Sequence, residues 1–245
     1  PHQLAAMRQS DRVIVQTDLE GEYLASRGIP GDRIVQVGMG VNPEELEGGK
    51  ASRFRAHFSL QGPIVFTIAT LAYDKGINHL VEAMRRLWGR GMKAHLVLAG
   101  PQMASFSRYF SALPASVKER CLLTGPIQGQ EKLDLLAAGD VFAMPSRTDS
   151  FGIVYLEAWY YRKPVIGAWA GGVPEVIAHG QDGYLVRFGD VEELAGRLEE
   201  LLHQRERAHL FGQRGREKVV RLHTWDRKYA AIRPLYAPAL RSAGA

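Results

Sequence analysis

The sequence predicts an α/β protein with a Rossmann-like parallel sheet and helices on both faces. Short apolar runs alternate with longer amphipathic runs through the middle of the chain, and this β-α-β rhythm requires parallel strands joined by crossover helices. In segment 79–88, Leu80, Met84 and Leu87 recur at helical spacing. Ligands of such sheets bind beyond the carboxyl ends of the strands.

The first part of the chain predicts a small unit of its own. Segments 12–16 and 33–37 have the character of strands, and they flank a helix-like segment at 19–26. A cluster of Gly, Asn and Pro at 38–43 and a polar stretch at 44–50 then follow, which is typical of a linker. We therefore place a domain boundary near residue 40.

Six apolar runs in the middle of the chain are interpreted as strands, and they lie at 64–69, 94–99, 121–124, 141–144, 164–167 and 183–186. After about residue 190 the pattern becomes helical. Leu194, Leu198, Leu201 and Leu202 form one apolar stripe, and Trp225 opens a last predicted helix.

Composition restricts the function classes. The 245 residues are 46% hydrophobic, which suits an ordinary core. No apolar run approaches the roughly 20 residues of a membrane helix, and the first residues do not resemble a signal peptide, so we expect a cytoplasmic protein. The net charge of +5 suits an anionic partner. Because the basic residues are dispersed along the chain, we do not expect nucleic acid to be a binding partner.

Cysteine and histidine provide no sign of a disulfide or a metal site. Cys121 stands alone in an apolar segment and is interpreted as a buried small hydrophobic residue. None of the eight His residues has a paired metal spacing, and no Asp-x-Asp pair is present to hold a cation against a diphosphate. We expect neither a metal nor another cofactor.

The stretch at 146–157 is the most informative part of the sequence. Asp149 and Ser150 are typical helix N-cap residues, and Gly152 allows a ligand to approach the backbone. The N–H groups of a helix beginning here could bind a diphosphate, with Glu157 about one and a half turns further on. The spacing is equally compatible with a simple cap at Asp149 and an ordinary ion pair at Glu157.

Segment 149–157 resembles the glutamate-x7-glutamate motif of retaining GT-B glycosyltransferases of the glycosyltransferase group 1 type, family GT4. Several ordered motifs extend the resemblance to nearly the whole chain: Lys75-Gly76, Pro145-Ser146, Gly171-Gly-Val-Pro-Glu175, and Val13-Ile-Val-Gln-Thr17 through Gly38-Met-Gly-Val41. The resemblance implies two facing Rossmann-like domains, of which this chain holds the C-terminal one and the end of the N-terminal one.

The domain organisation implied by the resemblance has three parts. Residues 1–40 are the end of the N-terminal acceptor domain with the linker. Residues 41–222 are the nucleotide-sugar-binding domain, and residues 223–245 form a C-terminal helix that crosses back toward the first domain.

The resemblance also implies a role for each matching residue. Asp149 is the carboxylate near the donor sugar hydroxyls, and Lys75 neutralises the leaving phosphate, where charge develops. Glu157 accepts hydrogen bonds from the ribose. The remaining substrate-binding positions are Ile127 at the base, Gly152 and Ile153 with backbone N–H groups at the diphosphate, and Ser150 and Phe151 in the same loop.

Two positions depart from the family pattern. Thr70 stands in Ala69-Thr70 where the family has a glycine-arginine pair, so one of two cationic phosphate ligands is missing. Asp149 replaces the usual glutamate. Arg147 is a candidate substitute for the missing arginine, since its guanidinium can bind phosphate oxygens bidentately. Trp169 lies near the predicted cleft and is compatible with sugar stacking or with packing.

The function predicted from these residues is metal-independent retaining transfer from a nucleoside diphosphate sugar to an unknown acceptor. Glycans, lipids and small molecules all remain open as acceptors, as does a peripheral membrane contact through the first domain. We expect an active full-length enzyme and an inactive isolated chain. The alternatives are a nucleotide-sugar binding module without turnover and a GT-B nucleotide-sugar epimerase.

Overall fold

The computed structural model describes the backbone of residues 2–242 and the side chains of residues 2–236. Residue 1 of the predicted first segment and residues 243–245 of the predicted last segment lie outside the described residues. In the described part, the chain forms a parallel sheet of two strands and a second sheet of six.

The two-stranded sheet is built from the first part of the chain, where the predicted strand-helix-strand unit is confirmed. Its elements are α1 (His2–Gln9), β1 (Val13–Val15), α2 (Asp18–Ser26) and β2 (Ile34–Gln36). The side-chain oxygen of Thr17 accepts a hydrogen bond from the Glu20 N–H and caps α2. A separate small core of Val13, Val15, Leu24 and Ile29 supports this unit.

The six-stranded sheet confirms all six predicted strands, with ends that shift by at most one residue. The strands are β3 (Ile64–Ile68), β4 (His95–Ala99), β5 (Cys121–Gly125), β6 (Val141–Ala143), β7 (Val165–Ala168) and β8 (Gly183–Val186). Their order is β5-β4-β3-β6-β7-β8, and all pairs are parallel. The direction of winding reverses between β3 and β6, and a crevice opens at such a point.

Ten helices of the described chain follow the linker. They are α3 (Ala51–His57), α4 (Ile77–Gly89), α5 (Ala104–Ser111), α6 (Ala115–Lys118), α7 (Gly129–Ala138), α8 (Ile153–Tyr160), α9 (Val173–Val176), α10 (Val191–His203), α11 (Arg205–Leu222) and α12 (Trp225–Ser242). None of the described helices has the length and apolar character needed to cross a membrane.

Alternation along the strands gives the large sheet a core on each face. Phe66 and Phe142 pack edge to face at 5.3 Å on the face that α8 covers, whereas Val65 and Val141 point to the face that α4 and α10 cover. Strands buried on both sides explain why their sequences are continuous apolar runs. The predicted stripe on α10 is confirmed by burial of Leu194, Leu198 and Leu201.

Cys121 differs slightly from its prediction as a buried residue. It lies on the edge strand β5 and is only partly buried. Burial nevertheless raises the pKa of its thiol to about 12, so the thiol stays protonated at neutral pH.

The start of α12 holds the linker that follows the small unit. The Val41 N–H donates to the His223 carbonyl over 2.9 Å, and the Trp225 N–H donates to the Val41 carbonyl over 3.0 Å. The Lys228 ammonium donates to the Val37 carbonyl over 2.7 Å. A β-carbon on Gly40 would lie 2.9 Å from the Thr224 and Trp225 backbone, so this contact requires glycine.

Glu175 makes a second connection between the small unit and the large sheet. Its carboxylate accepts hydrogen bonds from the N–H groups of Asp18 at 2.7 Å and Leu19 at 3.0 Å, and from the Gln36 side chain at 3.0 Å. A carboxylate at a helix N-terminus satisfies free donors and complements the helix dipole. The short helix α9 is therefore fixed to the start of α2.

The contact between α11 and α8 requires a glycine, which gives a first prediction. A β-carbon on Gly215 would lie 1.9 Å from the Trp159 ring. Trp159 is fully buried and cannot move away. Gly215→Ala should therefore lower the free energy of unfolding by about 1–3 kcal/mol, although alanine is the better helix former. Chemical denaturation measures the change.

Gly196 in α10 is the matched control, because a β-carbon there meets nothing within 4 Å. Gly196→Ala should raise the free energy of unfolding by about 0.5–1 kcal/mol. Equal effects of the two substitutions would contradict the packing argument.

His223 makes stability depend on pH. Burial, followed by the nearby Lys228 ammonium, lowers the pKa of His223 to about 4. The unfolded chain binds this proton at a pKa of about 6.5, so stability is fully present above pH 6.5 and is lost as pH falls toward 4. Between pH 7 and pH 5 we expect a loss of up to about 2 kcal/mol from this group.

Denaturation curves of wild type and His223→Gln at pH 7 and pH 5 test this linkage. The substitution should remove that part of the pH dependence, whereas His203→Gln at an exposed position should not. An identical loss between the two pH values in all three proteins would contradict the assignment.

Candidate functional site

Lys75, Arg147 and Asp149 lie in the two loops that follow β3 and β6, which end side by side. The loop after β3 and the loop after β6 are tied together through Asp74: its carbonyl accepts from the Arg147 N–H at 3.0 Å and from the Ser146 hydroxyl at 3.3 Å. Its carboxylate accepts from the Thr148 hydroxyl at 3.1 Å. These bonds fix the two loops at the reversal point of the sheet.

Gly76 allows the first of these loops to approach the second. Its φ is +75°, a left-handed conformation that favours glycine, and it is the N-cap of α4. A β-carbon at this position would lie 2.3 Å from the Pro145 carbonyl oxygen. The lysine-glycine step in the sequence is therefore a structural requirement that sets the position of Lys75.

Lys75 and Asp149 form an ion pair across the two loops. The ammonium donates to Oδ1 of the carboxylate over 2.9 Å, and the side chains are 24% and 17% exposed. The second carboxylate oxygen, Oδ2, is buried and has no hydrogen-bond partner among the described residues. A buried acceptor without a donor costs free energy, so this atom is suited to a donor that a ligand supplies.

The helix α8 begins later than the sequence analysis predicted. Asp149 and Ser150 were predicted as N-cap residues, but that prediction is wrong: the N-cap is Gly152, with a φ of +78°. Because Gly152 has the left-handed conformation, the residues before it do not continue the helix. Asp149 is thereby free to pair with Lys75, and Ile153 becomes the first helical residue.

Gly171 and Gly172 pack closely against the backbone of the loop before α8. A β-carbon on Gly171 would lie 2.3 Å from the Asp149 carbonyl oxygen, and one on Gly172 would lie 1.8 Å from that of Ser150. The Gly172 N–H donates to the Asp149 carbonyl over 3.0 Å. This pair of glycines, which belongs to the Gly171-Gly-Val-Pro-Glu175 motif, fixes the backbone that carries the Asp149 carboxylate.

Phe151 faces away from the crevice. Its side chain is 5% exposed and packs edge to face against His223 at 5.6 Å. A β-carbon on Gly38 of the linker would lie 3.0 Å from the same ring. The side chain of this predicted substrate-binding residue therefore belongs to the core, and only its backbone can face a ligand.

Glu157 lies in the second turn of α8 and is paired with a residue that the sequence analysis did not single out. The Lys132 ammonium of α7 donates to Oε1 of Glu157 over 2.6 Å. Both residues line a cavity of about 360 Å³, together with Ile153, Gly129 and Trp225. Lys132 and Glu157 are 25 positions apart in the sequence and belong to no shared motif, so the sequence carried no signal for this pair.

Arg147 is exposed on the loop after β6. Its guanidinium lies 5.7 Å above the centre of the Tyr73 ring and 5.2 Å above that of Phe188. Stacking on aromatic faces is a typical environment for a guanidinium that remains available for anions. The aromatic residues come from the loops after β3 and β8, so Arg147 is held beside the crevice.

The other predicted positions lie in loops that follow strands of the large sheet. Thr70 is partly buried in the loop after β3, and Ile127 follows β5 and packs partly against the core. Trp169 is 52% exposed and its ring lies against His179, with ring centres 5.4 Å apart. The structure thus brings Lys75 and Asp149 into contact but leaves Ile127 in a separate loop.

A larger depression of about 990 Å³ lies between α10, α11 and the start of β8. It includes Arg197 and Arg207, which both pair with Glu200. None of the predicted site residues lines it. It lies away from the reversal point, whereas the Lys75–Asp149 pair lies at it, so we place the site at the crevice.

Comparison with known proteins identifies the family. The family model described as glycosyl transferases group 1 matches residues 50–218. The sulfoquinovosyl transferase SQD2 of Arabidopsis thaliana is 32% identical over 174 residues, which cover 70% of this chain and 32% of that protein. A GDP-mannose-dependent α-(1-6)-phosphatidylinositol monomannoside mannosyltransferase of Mycobacterium tuberculosis is 33% identical over 199 residues, 76% of this chain and 51% of that one.

The structure leads to the same family. Sucrose-phosphate synthase from Thermosynechococcus elongatus superimposes with a TM-score of 0.83 at 26% identity, over 98% of this chain and 61% of that chain. The chain spans from about a third to about half of the two curated relatives. Since the family model covers more than half of its residues and the GT-B-like parallel-sheet fold is shared, this chain belongs to the glycosyl transferases group 1 family.

Proposed function

We propose that this chain is the donor-binding half of a retaining glycosyltransferase of the GT4 type, which binds a nucleoside diphosphate sugar. The observation that carries the proposal is the Lys75–Asp149 pair at the reversal point of the sheet, with Oδ2 of Asp149 buried and without a partner. A cation and an unsatisfied acceptor side by side suit a ligand with a phosphate next to sugar hydroxyls. The mycobacterial relative is named as GDP-mannose-dependent, which supports a nucleotide sugar.

The diphosphate would lie at the start of α8. The N–H groups of Gly152 and Ile153 are at its N-terminus, where the helix dipole favours an anion. The Lys75 ammonium would exchange its partner: it would leave Asp149 and pair with the leaving phosphate as the glycosidic bond breaks. Asp149 would then accept hydrogen bonds from the donor sugar. Because each side chain needs a new partner, the pair would separate only when both the phosphate and the sugar are present.

The nucleoside would continue along α8 toward the cavity. Glu157 would accept hydrogen bonds from the ribose, and the backbone at Ile127 would contact the base. Ser150 and Thr70 would lie beside the phosphates. Arg147, held on Tyr73 and Phe188, is proposed as the second phosphate cation that the family pattern places at residue 70.

The stereochemistry and the acceptor are parts of the proposal that the family resemblance supports. We propose retention with front-face attack by the acceptor and no metal, since Lys75 and Arg147 supply positive charge at the diphosphate. Within the described residues, no cluster of three or more His, Cys, Asp or Glu side chains could hold a metal ion. A glycan, a lipid or a small molecule is the proposed acceptor class, and the cytoplasm is the proposed compartment.

The proposed domain organisation assigns residues 1–40 to the end of an acceptor domain with its linker, 41–222 to donor binding, and 223–245 to a helix that returns toward the acceptor domain. The linker contacts of α12 support this division, because they join residues 37–41 to residues 223–228.

Nucleotide binding by this chain tests the proposed function. Thermal shift and calorimetry with UDP, GDP, ADP and their sugars, in buffer with EDTA, should show one base series that raises the melting temperature. At a hundred times its Kd, such a ligand adds about 2.7 kcal/mol of stability. The same ligand should bind Glu157→Ala about tenfold or more weakly, because a charge-assisted hydrogen bond is lost. No stabilisation by any of these ligands would refute the proposed function.

The two proposed phosphate cations make a further prediction. Lys75→Ala and Arg147→Ala should each weaken binding of the preferred nucleoside diphosphate by about ten- to a hundredfold, because each removes a charge-assisted phosphate contact. Calorimetry measures both affinities. Arg205→Ala, an exposed arginine at the start of α11, is the matched control and should have no effect. Unchanged affinity in Arg147→Ala would show that this arginine does not replace the missing one.

A further inference from the structure

The Lys132–Glu157 ion pair lies in the wall of a cavity. The side chains are 27% and 13% exposed, and they come from different helices, α7 and α8. Exposed ion pairs contribute little to stability, whereas a half-buried pair fixes both side chains in one orientation. Both residues line the cavity of about 360 Å³, so this pair faces space that a ligand could fill.

Lys132 occupies only one side of the Glu157 carboxylate. Among the described residues, the ammonium makes the one hydrogen bond to this side chain, and it is made to Oε1. Oε2 therefore keeps its full capacity to accept. A glutamate has several rotatable bonds, so a carboxylate that is already fixed loses less conformational entropy when it binds a ligand.

The position of Glu157 along α8 suits a ribose. Ile153 is the first residue of the helix and lines the same cavity as Glu157, four residues later. Four residues of α-helix rise about 6 Å. A nucleoside diphosphate whose phosphates lie at the start of α8 would thus place its ribose hydroxyls beside Glu157, on the side that Lys132 does not occupy.

We propose that Lys132 is a positioning residue for ribose recognition. It holds the Glu157 carboxylate so that Oε2 accepts from the ribose hydroxyls, and it thereby sets the preference for ribonucleotides over nucleotides that lack these hydroxyls. This inference rests on the proposed function, which assigns the ribose to Glu157. Lys132 acts through Glu157 and need not touch the ligand.

The test compares UDP, GDP and ADP with their 2′,3′-dideoxy counterparts by calorimetry on the full chain. In wild type, the preferred ribonucleotide should bind about tenfold or more tightly than its dideoxy form. Glu157→Gln and Lys132→Met should both bring this ratio close to one. Lys132→Arg, which keeps the charge, should retain most of the ratio, and the double substitution should add no further loss.

Binding of the dideoxy nucleotide shows whether Lys132 acts by positioning Glu157 or by contacting the ligand directly. Its affinity should be nearly the same in wild type and in Lys132→Met, because the proposed role concerns the hydroxyls alone. Lys93→Met, at an exposed residue, is the matched control and should leave both affinities unchanged. A Lys132→Met variant that binds both nucleotides equally more weakly would overturn the inference, since Lys132 would then contact the phosphate or the base.

The remaining outcomes distinguish this inference from the proposed function. If Glu157→Gln abolishes the ribose preference but Lys132→Met keeps it, the positioning role is wrong and the proposed function stands. If wild type binds none of the nucleotides, or if Glu157→Gln keeps the preference, the ribose assignment fails and the role of Lys132 fails with it.

Discussion

The site depends on a close contact between the loop after β3 and the loop after β6. The two backbones lie so near each other that a β-carbon would not fit between them. Gly76 and Gly171 have positive φ angles, and a β-carbon on either would lie 2.3 Å from a carbonyl oxygen of the loop after β6. Because this loop is held by glycines from both sides, the Asp149 backbone has little freedom. The crevice where the sheet reverses its winding would exist in any such fold. These glycines determine which side chains meet in it.

The free-energy cost of burying the Asp149 carboxylate explains why its loop must be held in place. Holding a half-buried carboxylate with one unsatisfied oxygen costs free energy that the rest of the fold must offset. Groups of this kind persist in native proteins where the surrounding structure fixes them and where function requires them. The two buried cores on either face of the sheet provide the stability that offsets this cost.

Much of this arrangement could be predicted from local sequence, and the rest depends on contacts distant in sequence. Continuous apolar runs predicted all six strands of the large sheet, because five of them are buried on both faces and the edge strand β5 is partly buried. The N-cap at Asp149 was predicted wrongly, because a left-handed glycine competes with side-chain capping and local preference does not show which prevails. Lys132 was missed because its partner belongs to another helix.

The match to the family covers residues 50–218, yet the loop before α8 also depends on residues outside that range. Phe151 is fixed between the linker at Gly38 and the α12 side at His223. Its backbone neighbour Gly152 begins α8, so the same loop faces the crevice with its backbone and the linker with its side chain. Two stretches outside this loop, the linker and the segment just before α12, thus hold the Phe151 side chain of the loop that leads into α8. The linker and the start of α12 are therefore part of the site's framework, since removing either would expose Phe151 and release the loop that carries Asp149.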